Sequence, residues 1–274
     1  MSRKIKFISK KVEIDIFSKR RQLFEIQDYP WVPSGIREGV TDYLQFTLKE
    51  TGLYNIVSSH ILKILMKTGH QQIVDLCSGG GGPMVHLLDG LNAFDKKYKL
   101  VLTDLYPNIE SYQFHKKNNS QISYSEEPID ACKVPHDLKG VRTMFTSFHH
   151  FDDQKAKGIL KDSFDKKMPI AIFEFTERNL LTFLLCLPSF LGMFLFTPLV
   201  RPFKWSRVFW TYVIPMIPLV TLWDISASVF RTRSTQELKK MTSDLNSSDY
   251  SWEIGRTPTT LKFNIIYLIG ISKN

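Results

Sequence analysis

The sequence predicts an α/β protein. Its core is a mainly parallel seven-stranded sheet closed by a terminal antiparallel hairpin, with an N-terminal helical cover and an apolar helical hairpin inserted late in the chain. Three observations carry this. From Gln72 onward, short apolar runs alternate with longer amphipathic stretches, the pattern of strands joined by crossover helices. The chain finishes in two strand-like runs joined by a turn-rich linker. Between these regions lie two uncharged runs, 180–200 and 208–223.

The elements follow in order. Residues 1–21 are basic, but Ile5, Phe7, Ile8, Val12, Ile14, Ile16 and Phe17 are interleaved with charge, so the segment lacks the continuous apolar core of a signal peptide. Residues 35–68 read as helical, with Tyr43, Leu44, Leu48, Ile56, Ile61, Leu62 and Leu65 near helical spacing and Gly69 as the stop. Strand runs are expected at 73–77, 98–105, 122–124, 141–148 and 170–175, and helices at 83–91, 109–117 and 153–164. A polar helix at 235–245 precedes the final strands, 250–256 and 263–271. This divides the chain into a cover (1–69), a core (70–177), an insertion (178–233) and the end of the core (234–274).

Composition bounds the function. With 274 residues, 43% hydrophobic and 23% charged, the chain can bury a substantial core without staples. Cys77, Cys132 and Cys186 are far apart, and no Cys/His spacing suggests zinc or a disulfide framework, so a reducing, cytoplasmic compartment is expected and no metal is implied. The net charge of +9 leaves open nucleic acid, an acidic membrane surface, or simply a basic soluble protein.

Asp75-Leu-Cys-Ser-Gly-Gly-Gly-Gly82 follows the first strand and opens a helix. Such a turn brings backbone close to a ligand, and a helix N-terminus offers free N–H groups to an anion. The second strand ends in Asp104, where a carboxylate can accept both ribose hydroxyls of a nucleoside; capping the next helix is the competing role.

On these residues the sequence resembles the class I, Rossmann-like S-adenosylmethionine-dependent methyltransferases. Their first motif is an acid with glycines two, four and six positions later; here Asp75, Gly79 and Gly81 match, and Cys77 replaces the first glycine. The resemblance covers residues 70–177 and the C-terminal hairpin. It implies S-adenosylmethionine as cofactor, with Gly79 and Gly81 against its methionine part and Asp104 on the ribose. Asp130 in Ile129-Asp130-Ala131 would receive the adenine amino group, with Glu127 a poorer match. Cys77, Ser78, Leu105, Ala131 and Ser147 complete the implied cofactor contacts. A nicotinamide-dinucleotide enzyme is the nearest rival in fold, but its third glycine position is Met84.

The fourth strand exits into Phe148-His149-His150-Phe151, so one histidine is expected to act as general base, imidazole titrating near neutrality. Because alternate strand residues face opposite ways, only one should enter the site, and His149 is preferred. A purely structural role is the competing reading. Upstream, Asp28, Trp31, Arg37 and Asp42 are expected as substrate contacts in a lid, with Trp31 as plain packing the alternative.

Residues 180–223 admit three readings. A spanning hairpin would leave Arg201, Lys204 and Arg207 on the far side, against the positive-inside tendency. A monotopic hairpin would set these cations at headgroups, with Trp205, Trp210, Tyr212 and Trp223 at the interface. A soluble cap or a homodimer interface would cover the same surface from within the protein. The expected function is therefore methyl transfer to a small, lipophilic or membrane-derived acceptor by a cytoplasmic protein, peripheral or monotopic at the membrane. A nucleic-acid methyltransferase is an alternative favoured by charge, but the Asn/Asp-Pro-Pro-Tyr signature is absent after the fourth strand. A catalytically inactive membrane-associated adaptor is another, though it need not keep Asp75, the glycines and Asp104 together.

Overall fold

A computed structural model describes residues 16–29, 31–93, 98–262 and 264–272. Residues 1–15 of the basic segment expected over 1–21, and Phe263 at the start of the expected last strand, lie outside the described residues. Seven strands, β1 (Gln72–Asp75), β2 (Lys99–Leu102), β3 (Ile122–Tyr124), β4 (Val141–Phe145), β5 (Ile170–Glu174), β6 (Tyr250–Pro258) and β7 (Asn264–Ser272), form one sheet in the order β3-β2-β1-β4-β5-β7-β6. Strands β1 to β5 are parallel, and β7 runs antiparallel to both β5 and β6. The chain leaves β1 toward β2 on one side and returns to β4 on the other. That switch opens a crevice at the strands' carboxyl ends, where open α/β sheets bind ligands.

The helices in chain order are α1 (Ser34–Thr51), α2 (Ser58–Thr68), α3 (Met84–Asn92), α4 (Ile109–Asn118), α5 (Asp153–Asp165), α6 (Leu180–Cys186), α7 (Pro188–Phe196), α8 (Trp205–Val208), α9 (Met216–Arg231) and α10 (Thr235–Thr242). Alternate strand residues feed opposite faces of the sheet. Ile73, Phe145 and Phe173 pack with α2 and α3, while Val74, Met144 and Ile172 pack with α5 and α10. A third cluster joins Ile36, Val40 and Tyr43 of α1 to Met193 of α7 and Ile217 and Val220 of α9. Each fully buried side chain of this size contributes about 1.5–3 kcal/mol. The cover and the insertion are therefore one helical layer, held by packing.

Four expectations are corrected. The helix expected over 35–68 is two helices: Gly52 ends α1 in the left-handed region (φ 58°), and a short 3-10 turn, Asn55–Val57, leads into α2. β4 stops at Phe145, because Thr146 turns left-handed (φ 47°) and Phe148–His150 form a 3-10 turn. The insertion is no simple hairpin. Residues 180–199 form one apolar 20-residue stretch, whereas Trp205–Val213 and Met216–Arg231 meet at a bend of 82°. Finally, two of the connector's three cations turn inward: Arg207 is buried and donates to Asp42 (2.6 Å), and Lys204 reaches Glu38 (2.9 Å). Only Arg201 of the three is exposed.

Candidate active site

At the carboxyl end of β1 the glycine turn is built on Asp75. Its carboxylate accepts from the Thr143 hydroxyl (2.6 Å) and the Ser78 hydroxyl (2.8 Å), and burial pushes its pKa up to about 7 against those two bonds. Asp75 is therefore a buried brace between β1, β4 and the turn. The turn needs left-handed backbone at Cys77 (φ 57°), Gly79 (φ 54°), Gly81 (φ 115°) and Gly82 (φ 59°). Cys77 thus takes, at some strain, a conformation that a glycine would take freely.

The glycines are not equivalent. A side chain on Gly81 would strike His115, whose Nε2 lies 2.9 Å from the Gly80 carbonyl, and one on Gly80 would strike Gln45 of α1. These two serve internal packing. At Gly79 an added Cβ would meet only Thr41, at 3.6 Å, so the space beside it is free on its other sides.

Asp104 closes this cradle. One carboxylate oxygen accepts the Gly79 N–H (2.9 Å) and the other the Tyr106 N–H (2.9 Å), which leaves each with a further lone pair. Burial raises its pKa, while the N–H groups of Tyr106 and Gly79 oppose that rise. Leu105 is exposed beside it. The segment after β3 is pinned alongside, with the Ile129 N–H donating to the Asp104 carbonyl (2.8 Å). Asp130 is exposed there and accepts the Cys132 N–H (2.8 Å). Ala131 is buried in the core below, so it supports this wall from behind.

The exit of β4 is built from distant pieces. His149 donates its backbone N–H (3.1 Å) and its ring Nδ1 (2.7 Å) to Glu174 at the end of β5. A carboxylate only accepts, so Nδ1 carries a hydrogen, and Nε2 is left buried with no hydrogen-bond partner among the described residues. The Ser147 hydroxyl, two residues earlier, is likewise buried without a partner among them. The rings of His149 and His150 stack at 4.4 Å, so they lie side by side and not on opposite faces as a strand would place them. The alternation rule does not apply to a 3-10 turn.

His150 differs from its neighbour. Burial opposes its charge, but Glu25 (3.0 Å) and Asp28 (2.8 Å) outweigh that and hold its pKa up at about 10. At neutral pH it is a cation, unfit to be a free base. Burial also opposes the charge on Glu25, yet His150, His149 and Arg231 around it hold its carboxyl well below the usual range. Arg231 binds this cluster from α9, reaching Asp28 (2.9 Å) and the carbonyl of His149 (3.2 Å). Asp224 of the same helix accepts the N–H of Ile26 (2.7 Å) and of Gln27 (3.1 Å). The second limb of the insertion thus buries charge within the protein, which a lipid-facing span would not do.

The lid residues separate. Asp28 joins the histidine cluster. Asp42 is taken up by Arg207 and Lys204, and it lies against the glycine turn instead of an acceptor space. Arg37 is half-buried, its Nε has no hydrogen-bond partner among the described residues, and Trp31 points outward at 74% exposure. Sequence reading missed Glu25, Glu174 and Arg231. Only Glu174 carried a signal, as a carboxylate ending a buried strand next to β4.

No protein-family model matches the chain, and no curated protein matches it by sequence. Solved structures do. One is an O-methyltransferase from neocarzinostatin biosynthesis, in complex with S-adenosylmethionine and 2-hydroxy-5-methyl naphthoic acid. It is 13% identical at a TM-score of 0.50, over 87% of this chain and 58% of that one. Another is an O-methyltransferase family protein from Burkholderia thailandensis, 11% identical at a TM-score of 0.48, over 84% of this chain and 59% of that one. The chain spans under two thirds of either protein's length. The first likeness, with the sheet order and antiparallel β7, establishes the Rossmann-like class I methyltransferase fold.

Proposed function

We propose that the chain is an S-adenosylmethionine-dependent methyltransferase acting on a small acceptor. The observation that carries this is the pairing of Gly79 with Asp104: an open cradle at the β1 turn, faced by a carboxylate with a free lone pair on each oxygen. Two ribose hydroxyls can bond there, Leu105 can lie against the adenine, and Asp130 can take its amino group. Ser147 and His149 stand at the β4 exit, where an acceptor would approach the sulfonium. Turnover then depends on His149, oriented by Glu174, and holding both reactants in line supplies much of the acceleration. Mass spectrometry of lipid and polar extracts from cells with and without the gene tests this reading. It expects a product heavier by one CH2 only where the gene is present; identical extracts would count against it.

The acceptor is lipophilic and reached from a membrane surface on this reading. Residues 180–199 carry no charged side chain, yet only 22% of the most apolar window of this stretch is buried. Leu184, Leu191, Leu195 and Leu199 are exposed, as are Trp205 and Tyr212. A soluble core helix of this composition would be covered. Since Lys204 and Arg207 are spent on internal ion pairs, the attachment is apolar and not electrostatic. The three free thiols accord with the cytoplasmic face. Wild-type protein should sediment with neutral liposomes at high and low salt, and Leu191→Glu with Leu195→Glu should abolish this. A stable dimer that ignores liposomes would make this surface an interface between copies instead.

A further inference from the structure

We infer that Glu25, His149 and His150 form a binding site for a divalent transition-metal cation. One ligand atom from each of the three lies within 4.8 Å of the others. His149 Nε2 stands 3.6 Å from one Glu25 oxygen, and His150 Nδ1 stands 3.0 Å from the other. Metal–ligand bonds of about 2.0–2.2 Å put adjacent ligand atoms about 3.0–3.5 Å apart, so small shifts close this set on one ion. Asp28, 2.8 Å from His150 Nδ1, is in reach as a fourth ligand.

Three features make this more than a cluster of charges. His149 is 2% exposed, and its Nε2 is aimed at Glu25 with no hydrogen-bond partner among the described residues. A buried ring nitrogen left in this state is costly unless something occupies it. Its other nitrogen donates to Glu174, the carboxylate–histidine arrangement that orients an imidazole toward a metal. The charges also balance. Glu25, Asp28 and Glu174 are three carboxylates, and Arg231 supplies one permanent positive charge among them. The remaining two are supplied either by protons on the two imidazoles or by a single dication with both rings neutral. Imidazole with carboxylate suits zinc, manganese, iron and cobalt, not calcium or magnesium.

What the ion would do rests on the methyl-transfer reading. It would hold an acceptor oxygen at the β4 exit and lower that oxygen's pKa, so that the acceptor would give up its proton to solvent and His149 would act through the metal instead of taking that proton itself. Binding of the metal does not rest on that reading and is measured without donor or acceptor. Chelator-treated protein titrated with Co2+ should bind one equivalent, seen by calorimetry and by a visible absorption band. His149→Ala and Glu25→Gln should weaken binding by at least about 100-fold, and Glu174→Gln, which keeps the ring's neighbour in place, by about 10–100-fold. In the wild type, Mn2+ should broaden the imidazole resonances of His149 and His150, a readout that needs no variant to fold. No saturable Co2+ binding by the wild type, or equal affinity in all four proteins, would overturn the site.

Discussion

The β1 turn and the β4 exit sit at the same end of one sheet and are built in opposite ways. The turn is local: Asp75, Ser78, Gly79 and Asp104 come from the carboxyl ends of two adjacent strands and the turns that follow them, and Asp104 keeps lone pairs free beside Gly79. The exit is assembled from the whole chain, with Glu25 and Asp28 before the sheet, Glu174 on β5 and Arg231 from the insertion converging on two histidines. Most of its polar groups are already paired, and His149 Nε2 and Ser147 Oγ are the exceptions among those buried there. The first region leaves hydrogen-bonding capacity open, whereas the second spends most of its own on holding charges in place.

The sharpest way to separate the two is to remove His149. On the proposed function, His149→Ala should cut methyl transfer by about 10²–10⁴-fold. Affinity for S-adenosylmethionine should stay within about twofold, since no donor contact is lost. Parallel single-turnover and binding measurements check this, and equal losses in both would merge the two regions into one site.

The helical layer beside both regions holds the buried Arg207–Asp42 pair, whose side chains are 1% and 3% exposed. Asp42→Ala strands a buried guanidinium and should cost about 3–5 kcal/mol in urea unfolding. Replacing both partners with apolar residues, Asp42→Leu with Arg207→Met, should recover most of that loss. If the double variant is as unstable as the single one, the pair is not what holds the layer.

Asp75 makes the β1 turn sensitive to pH. Its folded pKa, near 7, lies above the value for an unfolded chain, so the fold binds this proton more tightly. Its contribution to stability is full below about pH 4 and is lost as pH rises through about 7, a change on the order of a few kcal/mol. Asp75→Asn should flatten the stability profile across that window when melting is followed against pH. A profile that keeps its slope in the variant would assign it to other groups.

The same contrast explains what was legible in the sequence. The strands and the glycine turn follow from short-range pattern, and β3 is found at Ile122–Tyr124 as expected. The end of β4 was not legible, because Val141 to Phe148 is apolar enough to continue as strand and nothing in it marks the left-handed Thr146. Gly52 was available as a break, but helical spacing resumes beyond it and masks the turn. His149 and His150 were found by their place after a strand. Their partners were not, because Glu25, Glu174 and Arg231 are brought together only by folding. The cationic connector misled for the same reason: charge beside an apolar run reads as a headgroup contact until Asp42 and Glu38 appear on the helix packed against it.

The central claim is that Gly79 and Asp104 cradle a methyl donor, and calorimetric titration with S-adenosylmethionine and its demethylated product tests it most directly. The wild type should bind either ligand at one site per chain and should not bind NAD. Asp104→Ala should weaken that binding by about 1–3 kcal/mol, roughly 5–150-fold, through hydrogen bonds lost from a charged group. Binding of NAD in preference to either ligand, or donor affinity unchanged in Asp104→Ala, would contradict it.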